Sequence, residues 1–145
     1  MKMNNNSKFR SKKIISFVKF IFHISNIILI IFYLFPGSIL GCFIYNDCGI
    51  QPQLTGDLLS NTISSNHVYV FIIISILGFI GYSKKTTFKY IIIYLFFISV
   101  FLELMHIVIP ERGFEMKDLT GNIVGVVISL IIFLIFKPRK KNGFI

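Results

Sequence analysis

Apolar residues arrive along this chain in long blocks. They show neither the spacing of an amphipathic helix nor the alternation of a half-buried strand. Four blocks stand out: Ile14 to Phe35, His67 to Tyr82, Phe88 to Ile109 and Leu119 to Phe136. A helix that crosses a bilayer needs roughly 20 mainly apolar residues. The pattern therefore predicts an all-α integral membrane four-helix bundle over residues 14–136. The second block is the shortest and would borrow a turn from each flank. Breakers frame the blocks: Pro36-Gly37 ends span one and Pro110 ends span three. Asn66 or Ser65 would cap span two. Asp118 would cap span four, where its charge also suits the helix dipole. The connection 36–66 is the longest. Ser38 to Tyr45 within it is apolar enough to lie at the interface, and Ser60 to Asn66 reads as exposed loop.

Composition supports this pattern. The chain is 54% hydrophobic with a mean hydropathy of +0.78 and 17 Phe. A soluble protein with such blocks would need amphipathic helices to cover them, and a membrane β-barrel would alternate apolar and polar residues. Neither pattern occurs here.

The net charge of +9 could suggest nucleic acid, but its placement gives another meaning. Lys2, Lys8, Arg10, Lys12 and Lys13 precede span one. Lys84, Lys85 and Lys89 lie between spans two and three or open the third. Lys137, Arg139, Lys140 and Lys141 follow span four. The opposite connections carry only Arg112 and Lys117, with Lys19 inside the first turns of span one. By the positive-inside rule both termini are cytoplasmic. Residues 1–13 are expected to be a mobile basic tail and 137–145 a second one, both able to touch anionic headgroups. The first span is longer than the apolar run of a cleaved signal, so it reads as an uncleaved helix.

Cys42 and Cys48 share the external connection, where an oxidising compartment permits a disulfide; two free thiols are the alternative. Ile39-Leu40-Gly41-Cys42 faintly resembles a lipoprotein cleavage box. Gly121, Gly125 and Ser129 repeat every four residues and invite a closely packed helix, most naturally span three. Gly78 and Gly81 offer a similar approach on span two. His23 and Asn26 share a face mid-span, which reads as a helix–helix contact before it reads as a proton or ligand site.

The richest stretch of candidate chemistry runs from Glu103 to Gly125. Glu103 lies ~10 Å below the outer end of span three, and His106 follows one turn on. Asn122 falls at similar depth on span four, Arg112 can fold back over the group, and His67 lies near the same level. A carboxyl in hydrocarbon costs several kcal/mol unless paired, protonated or hydrated. Two readings stay open. In one, Arg112 pairs with Asp118 or Glu103 and Asn122 satisfies a backbone group, so that the cluster locks a hairpin. In the other, Glu103, His106, Arg112, Asp118 and Asn122 line an outward-facing site for an anionic headgroup, with Arg112 holding the anion, Asn122 orienting it and Asp118 positioning Arg112. No phosphate loop, metal motif or nucleophile elbow is present, and no cofactor is expected.

These same residues resemble the VanZ-like membrane proteins. Glu103, His106, Pro110-Glu111-Arg112, Phe114, Asp118-Leu119, Asn122 and Gly125 are similar to that family's signature, and Leu34-Phe35-Pro36-Gly37 to its motif after the first span. His106 stands where the family usually carries Gln, and Ile63-Ser64 replace an acidic-Lys pair ahead of His67. The resemblance implies a bacterial cytoplasmic-membrane protein of the cell envelope, in a family whose founding members are linked to resistance to teicoplanin. The expected partners are membrane lipids, a lipid-linked or glycan precursor, or a membrane protein that this chain serves as an accessory subunit. A catalytic role on a membrane-embedded substrate is the third expectation, with Glu103 and His106 as an acid–base pair.

Overall fold

The computed structural model describes residues 5–52 and 62–137, with the side chains of residues 5–9 and 85 excepted. These residues form five helices and no strand: α1 (Asn5–Leu34), α2 (Ile39–Tyr45), α3 (Ser65–Gly81), α4 (Lys85–Met105) and α5 (Met116–Phe136). Segments of α1, α4 and α5 are long and apolar enough to cross a membrane, while α3 is apolar but has only 17 residues. Only 17%, 33% and 28% of the apolar windows of α1, α4 and α5 are buried. Phe20, Ile31, Ile93, Phe97, Ile131 and Ile135 point outward with more than half of their surface exposed. A water-soluble fold does not leave so continuous an apolar exterior.

α3 is the hub, because it packs on α1, α4 and α5, most extensively on α5. The stripe of Gly121, Gly125 and Ser129 is the reason, and it faces α3 rather than the expected third span. A Cβ on Gly121 would lie 2.6 Å from the Ser64 carbonyl oxygen, and one on Gly125 would lie 2.6 Å from that of Val68. Without side chains there, the two backbones come into contact. Ser129 Oγ adds a bond to the Ile72 carbonyl at 3.2 Å. Gly78 and Gly81 serve α1 in the same way, against Phe22 and Lys19. The buried core contains Phe22, Leu29, Phe71, Phe79, Leu95, Leu102 and Val126.

Several element ends differ from expectation. No Gly or Pro interrupts residues 5–34, so α1 starts at Asn5 and absorbs most of the expected tail. Residues 1–4, 53–61 and 138–145 lie outside the described residues, and with them the rest of both basic tails and part of the external connection. α4 ends at Met105 rather than at Ile109. Pro110 has no N–H for the His106 carbonyl, and its ring would collide there in a continued helix. The chain instead tightens, with Ile107 N–H donating to Leu104 and Val108 N–H to Met105, both at 3.1 Å. Ser64 precedes α3 as its N-cap, in place of Ser65 or Asn66. Glu115 holds that position before α5, so Asp118 sits inside the first turn. The Cys42–Cys48 disulfide is formed and closes the end of α2, leaving no thiol at Cys42 for lipidation.

The mid-helix polar groups of α1 are satisfied by neighbours. His23 Nε2 meets the Tyr82 hydroxyl at 2.7 Å. Asn26 accepts from the Tyr94 hydroxyl at 2.7 Å and donates to the Phe22 carbonyl. The Lys19 ammonium lies over the Tyr82 ring, 4.6 Å from its centre.

Candidate functional site

Four helix ends meet at one level. They are the last turn of α1 with Tyr33, the first turn of α3 with His67, the end of α4 with Glu103 and His106, and the first two turns of α5 with Asp118 and Asn122. Helix N-termini carry partial positive charge, so the ends of α3 and α5 favour the carboxylates gathered beside them.

Tyr33 joins the group together, and nothing in its sequence context singles it out. Its hydroxyl donates to Asn122 Oδ1 at 2.7 Å. Its carbonyl lies 3.1 Å from His106 Nε2. A carbonyl only accepts, so that ring nitrogen carries the hydrogen. The Tyr33 ring stacks on His106 (5.5 Å, 17°) and stands edge-on to His67 (5.4 Å, 89°). A lone Tyr near a membrane interface is common, which is why the residue gave no signal.

The expected cluster does assemble, but its members divide between two layers. His106 and Arg112 line a cavity; Glu103, Asp118 and Asn122 lie behind it. Glu103 is fully buried. Its Oε1 accepts from the Glu115 N–H at 3.1 Å and lies 3.4 Å from His106 Nδ1. Its Oε2 is buried with no hydrogen-bond partner. Asp118 Oδ1 lies 3.3 Å from His67 Nδ1, which also meets Ser64 Oγ at 2.6 Å. Asn122 donates to the Ser99 carbonyl at 3.0 Å, so both ends of its amide are occupied inside the protein. It therefore orients Tyr33 rather than a ligand. A ring nitrogen of His67 and one carboxylate oxygen each from Glu103 and Asp118 lie within 4.8 Å of one another.

Arg112 takes neither expected carboxylate partner at bonding distance. Its Nη2 donates to the Phe32 carbonyl at 3.2 Å and its Nε to that of Phe35 at 3.4 Å. It supplies the C-terminal cation that the last turn of α1 lacks. Burial pulls its pKa down from the ordinary value, opposed by Tyr33, Asp118 and Glu103. An ordinary value so far above neutrality leaves the guanidinium cationic.

The cavity, about 370 Å³, runs between α1 and α3. Ile28, Leu29, Phe32, Val70, Ile73 and Ile74 make its apolar walls, and α2 closes over it through Ile39 and Leu40. Asn66, His67, His106 and Arg112 form its polar end. Ile28, Leu40 and Ile73 are each exposed by 46–60%, so the groove opens sideways, toward the surroundings of the helices. From Ser25 to Tyr33 the α1 wall extends ~12 Å.

No protein-family model, curated protein or solved structure matches this chain.

Proposed function

We propose that the chain is a membrane protein that binds an amphiphile with an anionic headgroup, of the kind a lipid-linked envelope precursor presents. One observation carries the reading: a sideways-open apolar groove between α1 and α3 that ends at Arg112, His67, His106 and Asn66. An acyl or prenyl chain matches the groove walls. The headgroup matches the polar end, where Arg112 uses two of its N–H groups on α1 and has further donors in its planar fork.

In this proposal α1, α3, α4 and α5 cross the bilayer as a four-helix bundle with both termini cytoplasmic. The short α3 is accommodated by local thinning. Twelve basic residues on one side against Arg112 and Lys117 on the other support that orientation. The Cys42–Cys48 disulfide supports it independently, because such bonds persist in oxidising compartments, where this topology would put the 36–66 connection. The resemblance to VanZ-like proteins agrees with a bacterial cytoplasmic membrane. The accessory-subunit alternative loses its docking surface, since Gly121, Gly125 and Ser129 are buried against α3.

The test is native mass spectrometry of detergent-extracted wild type, Arg112→Gln and Val70→Trp. Gln keeps a donor without the charge, and Trp fills the groove. The expected result is an anionic lipid retained by the wild type and reduced at least about tenfold in both variants, roughly 1.4 kcal/mol. Equal retention in folded variants overturns the proposal.

A further inference from the structure

We infer that His67, Glu103 and Asp118 form a binding site for a divalent transition-metal ion of the zinc class. The site lies behind the polar end of the groove. It does not depend on amphiphile binding, although His67 belongs to both.

Three observations point to it. The donors converge from α3, α4 and α5, with one ligand atom each inside 4.8 Å of the others. Bonds of ~2.0–2.2 Å to a tetrahedral ion would place donors ~3.4 Å apart, so closure needs shifts of about 1 Å, within reach of side-chain rotation. Next, Glu103 is 0% exposed, and its Oε2 meets no donor. Ionised, that oxygen lacks a hydrogen bond in a low-dielectric interior; with a proton on Oε1, toward His106 Nδ1, Oε2 still has no donor. Either state costs free energy, and a cation in the cluster removes the conflict. Finally, the charges balance. Asp118 and Glu103 are buried, and the only ion-pair partners within 4.0 Å of them among the described residues are His67 and His106. A divalent ion neutralises two carboxylates and leaves a neutral imidazole as third ligand, which suits a membrane interior.

The surroundings resemble the outer layer of a metal site. Glu115 N–H holds Glu103 Oε1, and His106, fixed through Nε2 on the Tyr33 carbonyl, lies against the same oxygen. Mixed imidazole and carboxylate donors suit zinc and its neighbours over calcium or copper(I). Three protein ligands leave a position for water or for an anionic oxygen. Contiguous sequence shows no motif because the ligands lie 36 and 15 positions apart.

The experiment uses the full chain in detergent, with any tag removed, stripped with a chelator and titrated with Co²⁺. One Co²⁺ per chain with visible ligand-field bands, displaced by Zn²⁺, is expected. Glu103→Gln and Asp118→Asn should each weaken binding by more than about 100-fold, beyond the range of outer-layer changes. Arg112→Gln should bind Co²⁺ like the wild type while losing lipid, which separates this site from the amphiphile reading. Should the ligand variants fail to fold, X-ray absorption of Zn²⁺-loaded wild type decides. One imidazole with carboxylate oxygens supports the site. Absence of a stoichiometric ion, unchanged binding in both variants, or a shell of several imidazoles or waters alone overturns it.

Discussion

Tyr33 shows how much one side chain does at the convergence of four helices. Its hydroxyl, carbonyl and ring engage Asn122, His106 and His67 respectively. Tyr33→Phe keeps the stacking and deletes one hydrogen bond, leaving Asn122 Oδ1 buried without its donor. Hydrogen bonds between membrane helices average ~0.6 kcal/mol, and stranding a buried acceptor adds to that, so the expected loss is ~1–2 kcal/mol. Denaturant unfolding in mixed micelles measures it; a loss below a few tenths would mean that water or a shifted neighbour replaces the hydroxyl. The contrast with Arg112 is instructive. Its charge and position are visible in the chain, but its partners are carbonyls at the end of α1 and just beyond it, about 80 residues earlier. A rule that pairs cations with carboxylates points to Asp118 or Glu103, and here the unsatisfied carbonyls at a helix end take the guanidinium instead.

Among the helices, the α3–α5 contact depends on what is missing at Gly121 and Gly125. A methyl at Gly125 would meet the Val68 carbonyl at 2.6 Å and Phe71 Cβ at 2.8 Å. Neither neighbour is the loose end of a long side chain, so the helices must separate. Gly125→Ala should destabilise by about 1–3 kcal/mol. Ser129→Ala should cost less, because its hydroxyl bonds partly within its own helix, to the Gly125 carbonyl. Thermal unfolding of the detergent-solubilised protein ranks the two, and a Gly125→Ala midpoint at or above wild type would contradict the close contact. The spacing of the stripe was visible in the sequence, and its partner was not. Any helix can fill a small-residue groove; α3 does so because its own Gly78 and Gly81 let it approach α1 as well.

At the scale of the molecule, the apolar exterior and the charge asymmetry lead to a topology that labelling can test. Gly113 sits in the α4–α5 connection with open space where a side chain would go, and Thr86 is exposed in the first turn of α4. In cells producing the protein, Gly113→Cys should react with a membrane-impermeant maleimide from outside. Thr86→Cys should react only after permeabilisation. Cys42 and Cys48 are joined and do not interfere. The opposite labelling pattern would invert the orientation, put the groove's polar end on the cytoplasmic side and remove the case for an external ligand.

Run length, breakers and the placement of charge are local properties of a chain. They sufficed to locate α1, α3, α4 and α5 and to mark Glu103, His106, Arg112, Asp118 and Asn122 as polar groups at one level. Pairings depend on the relative rotation and approach of helices, which no local pattern encodes. The tertiary structure therefore decided that the small-residue stripe meets α3 and that Arg112 caps α1. It also decided that Asn122 holds Tyr33, and that His67 comes within reach of Glu103 and Asp118. The helix ends were misplaced for a similar reason. Pro110 acts one turn back, on the His106 carbonyl, and Asp118 lies inside α5 because Glu115 takes the N-cap place, its carbonyl accepting from the Asp118 and Leu119 N–H groups.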